Sequence, residues 1–261
     1  MSMKTNDRAV ATWRQRARLK DPPHVELSPR RVRGYFGGRL VVDSERVLLV
    51  YESRRSPVYW FPIEDVKMEL LTRKEAGAAS DSDTVRFSLT AGARSVDNAA
   101  WTYEPPRPDL EALEGHVAFI WDRLDSWFEE DEEVFVHPRD PYTRVDTLHS
   151  SRHLRIEIEG TVMAETRRPV LLFETGLPVR YYIPKQDVRM DLLEPTSTHT
   201  RCPYKGTASY WAAVIDGKRF EDVVWSYPTP LLEAMKIENL VSFYNEKVDV
   251  YVDGKREERT R

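Results

Sequence analysis

Tyr59-Trp-Phe-Pro-Ile-Glu-Asp-Val-Lys-Met-Glu-Leu-Leu71 returns later in the chain as Tyr181-Tyr-Ile-Pro-Lys-Gln-Asp-Val-Arg-Met-Asp-Leu-Leu193. The two stretches lie 122 positions apart. Working outward, the register holds without a gap from Arg33/Arg155 to Leu71/Leu193, with 12 identities in 39 pairs. Gly38/Gly160, Glu52/Glu174, Pro62/Pro184 and Asp65/Asp187 are among them. A second block follows at an offset of 124, pairing Trp101-Thr-Tyr103 with Trp225-Ser-Tyr227, Phe119 with Phe243 and Asp125 with Asp249. Chance similarity does not keep register this long, so the chain is a tandem duplication. The two-residue slip falls between the blocks, where copy one has the loop-like Glu75-Ala-Gly-Ala-Ala-Ser-Asp-Ser-Asp83.

The duplication sets the boundaries. Residues 1–23 form a basic N-terminal arm, with six basic residues against two Asp. The first repeat spans 24–133 and a Pro-punctuated connector spans 134–144. The second repeat spans 145–254, and 255–261 is a charged tail. Within each copy the hydrophobic period is mostly two. Leu154-Arg-Ile-Glu-Ile-Glu159 alternates up to Gly160, and Asp187 to Leu193 alternates charged with apolar residues. Val248 to Val252 alternates too, with Leu124 to Phe128 as its counterpart. Leu231 to Asn239, matched by Leu110 to His116, reads as a short helix after a Pro-rich turn. Each copy is therefore expected to be a mainly β domain of six to eight short antiparallel strands with one small helix.

Copy two contains Arg180-Tyr-Tyr-Ile-Pro184, Asp187-Val-Arg-Met-Asp-Leu-Leu193, Cys202-Pro-Tyr-Lys-Gly-Thr-Ala-Ser-Tyr-Trp211, Val224-Trp-Ser-Tyr-Pro228 and Val248-Asp-Val-Tyr-Val-Asp253. These motifs resemble the bacterial domain-of-unknown-function 427 family, here in tandem form, strongly in copy two and partially in copy one. The resemblance implies two β-tent-like domains, each of two small antiparallel sheets. It also carries that family's nucleotidyltransferase label.

Composition narrows the function. Hydrophobic residues make up 41% and aromatics 11%, enough for real cores. A net charge of −4 and a pI near 5.9 argue against general nucleic-acid binding. The single cysteine, Cys202, excludes a disulfide framework and any cysteine-based zinc cluster. No apolar run approaches a membrane span, and no secretion signal follows Met1, so a cytoplasmic monomer or homodimer is expected. His24, His116, His137, His149 and His153 show no metal-ligand spacing and read as surface or capping residues. No metal or cofactor is therefore expected.

The copies differ where chemistry is most plausible. Copy two has Arg201-Cys-Pro-Tyr-Lys-Gly206; copy one aligns Ala78 with Cys202 and Asp81 with Lys205. Cys202 reads either as a nucleophile or as a small packed hydrophobe. His199 is three residues away, ~10 Å along an extended chain, too far for a direct pair without a turn. Asp187 and Asp191 would stand ~13 Å apart on one strand face and cannot share a metal ion. Trp101 and Trp225, at matched positions, read as core anchors.

The leading expectation is a site in copy two for a small anionic molecule, nucleotide-like or otherwise, with any reaction left open. Lys205 would anchor the anion, Arg180 and Arg201 would assist, and Tyr181, Tyr210 and Cys202 would line the site, alongside Tyr182, Tyr204 and Trp211. Asp81 is the matched control. The alternative is a non-catalytic scaffold or protein-interaction module presenting the acidic run Glu129 to Glu133 and the connector His137 to Tyr142.

Overall fold

A computed structural model describes residues 22–52, 56–74 and 83–258. Most of the basic arm, and with it the matched positions Ala78 and Asp81, lies outside the described residues. The first repeat supplies β1 (His24–Leu27), β2 (Val32–Phe36), β3 (Arg39–Ser44), β4 (Leu48–Tyr51), β5 (Val58–Pro62), β6 (Leu71–Arg73), β7 (Thr84–Ala91), β8 (Arg94–Tyr103), β9 (His116–Phe119), β10 (Ser126–Glu129) and β11 (Glu132–Val134). The second supplies β12 (Val145–His149), β13 (Leu154–Ile158), β14 (Thr161–Thr166), β15 (Val170–Glu174), β16 (Arg180–Ile183), β17 (Leu193–Cys202), β18 (Gly206–Ile215), β19 (Lys218–Ser226), β20 (Val241–Phe243), β21 (Asp249–Val252) and β22 (Lys255–Arg256).

The two repeats share one topology. Each has a seven-stranded sheet, ordered β1-β4-β5-β9-β8-β7-β6 in the first and β12-β15-β16-β20-β19-β18-β17 in the second. Each also has a four-stranded sheet, β11-β10-β2-β3 and, read in the same sense, β22-β21-β13-β14. All named strand pairings within these sheets are antiparallel. The chain divides between Asp140 and Pro141 into two compact units.

Each repeat buries apolar side chains on both faces of its large sheet. In repeat two, Leu154, Ile156, Met163 and Val250 of the small sheet pack with Leu171, Tyr181, Ile183, Val224 and Phe243 of the large one. The opposite, outer face carries a second cluster, Val170, Leu172, Tyr182, Ala208, Tyr210, Trp225 and Tyr227, covered by Ala234 and Ile237. Repeat one repeats the arrangement, with Trp60 and Ala118 on its outer face under Leu110 and Leu113.

Four local expectations need correction. Among the described residues each repeat has eleven strands, more than the six to eight expected. The expected small helix is a 3-10 segment, Leu232–Ile237, with Pro108–Leu113 in repeat one. Its buried residues Ala234 and Ile237 are three apart, the spacing that keeps one face inward at three residues per turn. Asp187 to Leu193 is not a strand but a pair of 3-10 turns, Lys185–Asp187 and Met190–Leu192, joined by a bridge between Val188 and Ala164. Its period of two survives because Val188, Met190 and Leu192 still pack on the core. Finally, a further one-residue slip separates β10 from β21. Trp127 pairs with Gly34 where Val250 pairs with Ile156, so the structural counterpart of Asp249 is Ser126 rather than Asp125.

The matched aspartates have the same structural job in both repeats. Thr166 Oγ1 donates to Asp187 at 2.7 Å and Arg168 forks onto the same carboxylate through Nε and Nη2, both at 3.0 Å. In repeat one, Ser44 and Arg46 do this for Asp65 at 2.6 and 2.7 Å.

Candidate functional site

Strand alternation decides which candidates meet. Neighbouring residues of β16 point to opposite faces of the sheet, so Tyr182 and Tyr181 cannot share a site. Tyr182 belongs to the outer cluster. Tyr181 lies in the core between the sheets, its hydroxyl donating to Glu257 Oε1 at 2.5 Å. Tyr181 is therefore not a wall of the site, and Tyr182 takes its place. Trp211 also packs against the inter-sheet core, with the Lys185 ammonium 5.5 Å from its ring centroid. Arg201 precedes Cys202 on β17 and is exposed, whereas Cys202 packs against the outer cluster. Arg201 is thus not brought to Lys205 by its strand.

What does assemble on the outer face is a polar constellation set among aromatics. Lys205, expected to be the anchor, is buried, and its ammonium is hydrogen-bonded to the equally buried Glu174 carboxylate. Glu174 ends β15, and Lys205 sits in the turn between β17 and β18. Gly206 fixes that turn at φ +95, and a Cβ there would stand 3.2 Å from the Thr229 carbonyl oxygen. The turn is held from outside by the Leu231 amide, which donates to the Lys205 carbonyl at 3.2 Å.

Arg180 is likewise paired. Its guanidinium forks onto Glu246 at 2.7 and 2.9 Å and lies over the rings of Trp225 and Tyr244, 5.6 and 5.7 Å from their centroids. Trp225 Nε1 donates to the Tyr182 hydroxyl at 3.0 Å. The Tyr210 hydroxyl meets Thr200 Oγ1 at 2.8 Å and the Tyr244 hydroxyl at 3.4 Å. Ser242 lies in register with both Tyr182 and Trp225, fully buried, its hydroxyl without a partner among the described residues.

Burial pushes the Tyr182 and Tyr227 phenols up. For Tyr182, desolvation is the main cause, and the Trp225 N–H opposes it by favouring the phenolate. For Tyr227 desolvation again leads, reinforced by Tyr182, Cys202, Tyr210 and Glu174 close by. At neutral pH Tyr182 and Tyr227 are therefore neutral phenols.

Repeat one has lost this chemistry on the same face. Tyr182 is matched by Trp60, Arg180 by Val58, Tyr210 by Arg86 and Ser242 by Ala118. Trp60 packs edge-on to Trp101 at 5.7 Å and stacks on Tyr103 at 5.2 Å. On this face the Tyr103 hydroxyl donates to Glu52 at 2.7 Å.

Sequence reasoning missed Glu174, Tyr227 and Glu246. The identity Glu52/Glu174 and the matched Tyr103/Tyr227 were both visible, but neither revealed that Glu174 partners Lys205. A surface cleft of about 330 Å³ opens elsewhere, in repeat one, lined by Arg33, Tyr35, Gly38, Asp125, Ser126 and Phe128. Its charges are already matched, Arg33 by Asp131 and Asp125 by Arg94. The surfaces expected of a scaffold are also partly taken up. Glu129 is buried and accepts hydrogen bonds from Tyr59 and Arg30, while Asp140 accepts one from Tyr51 at 3.0 Å. Among the described residues no three His, Cys, Asp or Glu side chains gather as metal ligands, and no helix is long and apolar enough to cross a membrane.

Comparison with known proteins gives one family. The family described as a domain of unknown function, DUF427, matches twice, over residues 24–130 and 146–254. No curated protein matches the chain.

Proposed function

The chain belongs to the DUF427 family, with two copies of its domain in tandem, and on that premise we propose that the second repeat binds a small anionic molecule on the outer face of its large sheet. The observation that carries this reading is the buried Lys205–Glu174 pair. Taking two charges out of water costs several kcal/mol per ion, and replacing such a pair by packed apolar residues is often neutral or stabilising. The same face of repeat one is built around Trp60, Trp101 and Tyr103. An apolar solution was therefore within reach of this fold, and the cost borne in repeat two points to a use for the charges.

Lys205 supplies the cation, Tyr182, Tyr210 and Tyr227 the walls, and Arg180 a second cation held at the rim by Glu246. Cys202 borders the same cluster. The test is a thermal-shift screen with phosphate, pyrophosphate, nucleoside mono- and triphosphates and carboxylates, run on wild type and on Lys205→Gln. A ligand at ~100 times its Kd adds ~2.7 kcal/mol of stability. We expect at least one anion to stabilise the wild type and to lose that effect in Lys205→Gln. No response to any of them, or an equal response in the variant, overturns the reading.

A further inference from the structure

Resting on that reading, we infer that Glu174 and Tyr227 form an exchange pair: an incoming phosphoryl group displaces the Glu174 carboxylate from Lys205, and the Tyr227 hydroxyl takes the carboxylate up. Lys205 is already occupied, so any anion that uses it must compete with an internal carboxylate. A ligand monocarboxylate would exchange one carboxylate for another and gain little. A phosphoryl dianion brings more charge and more acceptor oxygens to the ammonium, so it wins the exchange.

The released Glu174 would be a buried charge without a partner, which is costly unless another donor is at hand. Repeat one contains that donor in place. Its matched carboxylate, Glu52, has no lysine at the aligned position, which is Asp81 in the sequence, and it accepts the hydroxyl of Tyr103 at 2.7 Å. Tyr227 is the residue matched to Tyr103 and lies on the same outer face; burial raises its phenol and the Glu174 charge adds to that. The Tyr227 hydroxyl itself bonds to none of the described residues. Repeat one thus displays the lysine-free arrangement of the carboxylate, and repeat two the lysine-bound one. The site's residues gain distinct roles: Lys205 binds, Glu174 competes and Tyr227 receives the competitor.

The experiment is calorimetric titration of inorganic phosphate and of acetate into the full chain, as wild type, Glu174→Gln, Tyr227→Phe, the Glu174→Gln/Tyr227→Phe double variant and Lys205→Gln. Removing the competitor should raise phosphate affinity about tenfold, since a charge-assisted contact no longer has to be broken. A gain of affinity cannot come from a damaged fold. Tyr227→Phe should weaken phosphate binding about tenfold in the wild-type background and leave it unchanged in the Glu174→Gln background, the non-additivity expected of coupled residues. Acetate should bind more weakly than phosphate to the wild type. Equal phosphate affinity in Tyr227→Phe and wild type overturns the exchange, as does the same loss in both backgrounds or no gain in Glu174→Gln. If Lys205→Gln binds phosphate like the wild type, the proposed site itself fails, which is a separate result.

Discussion

Trp225 Nε1 donates to the Tyr182 hydroxyl at 3.0 Å, whereas the matched residues of repeat one, Trp101 and Trp60, meet edge to face and Trp60 Nε1 has no partner among the described residues. One sheet position thus holds a polar contact in one repeat and an aromatic one in the other. Tyr182→Phe would remove the acceptor and leave the Trp225 N–H buried and unmet, at a cost of ~1–3 kcal/mol. Tyr181→Phe, one residue away on the opposite face, should leave phosphate binding unchanged. Urea unfolding and phosphate titration of the two variants check both statements. A loss of binding in Tyr181→Phe would contradict the assignment of faces.

The buried pair makes its own forecast. Lys205→Met strands Glu174 without a partner, and breaking a buried pair in this way typically costs ~3–5 kcal/mol. Lys205→Met/Glu174→Leu should recover most of that loss, since both charges are then gone. The measurement is the urea midpoint of each variant at neutral pH. A double variant no more stable than the single one would mean that the pair stabilises the fold outright.

Acid sensitivity should follow the paired aspartates. Hydrogen bonds from Arg168 and Thr166 hold the Asp187 carboxyl below its usual range. For Asp65, burial acts upward, but Arg46 and Ser44 outweigh it and the net direction is again down. A carboxyl lowered in the folded state gives stability that is fully present above its unfolded value of about 3.9 and is lost as pH falls through the folded one. Asp187→Asn should therefore weaken the protein at neutral pH and flatten its loss of stability below about pH 4. Urea midpoints recorded from neutral pH down to strong acid test this. A steeper acid limb in the variant would contradict it.

Packing beneath the small sheet of repeat one gives a fourth expectation. A Cβ at Gly34 would stand 2.6 Å from Leu124 Cδ2 and 2.9 Å from Trp127 Cζ3. Gly34→Ala overfills this core and should cost ~1–3 kcal/mol. Repeat two has Ile156 at the matched position, opposite Val250 rather than Trp127. Calorimetric unfolding should show repeat one destabilised and repeat two untouched.

The duplication and the mainly β class were legible because strand patterning and turn glycines are local signals. Gly38/Gly160 and Pro62/Pro184 kept register across the whole block. The alternation from Asp187 to Leu193 misled because a run of 3-10 turns can also place every second residue inward. The slip between Phe119 and Ser126 was hidden because Asp125 and Asp249 coincide by chance at the sequence offset. The site was half legible. Lys205 and Cys202 stood out because repeat one has Asp81 and Ala78 there, and Arg180 and Tyr210 as a cation and an aromatic fit to line a cleft. Their partners did not, since Glu174 lies 31 positions from Lys205 and Glu246 66 from Arg180, and only sheet pairing brings them together. Tyr181 and Tyr182 could be told apart only by knowing which face of β16 is the outer one.

The uneven placing of aromatic residues has an optical consequence. Of the seven tryptophans, Trp13 belongs to the N-terminal arm, Trp60, Trp101, Trp121 and Trp127 to repeat one, and only Trp211 and Trp225 to repeat two. Trp121 and Trp127 stack at 5.2 Å. The intrinsic emission of the protein will therefore report mostly on the repeat without the lysine. Trp225, beneath the Arg180 guanidinium and bonded to Tyr182, is the chromophore that an event at Lys205 would reach. A variant keeping Trp225 with Trp13 and the four repeat-one indoles replaced by phenylalanine would convert a weak difference signal into a direct spectroscopic reporter of the second repeat.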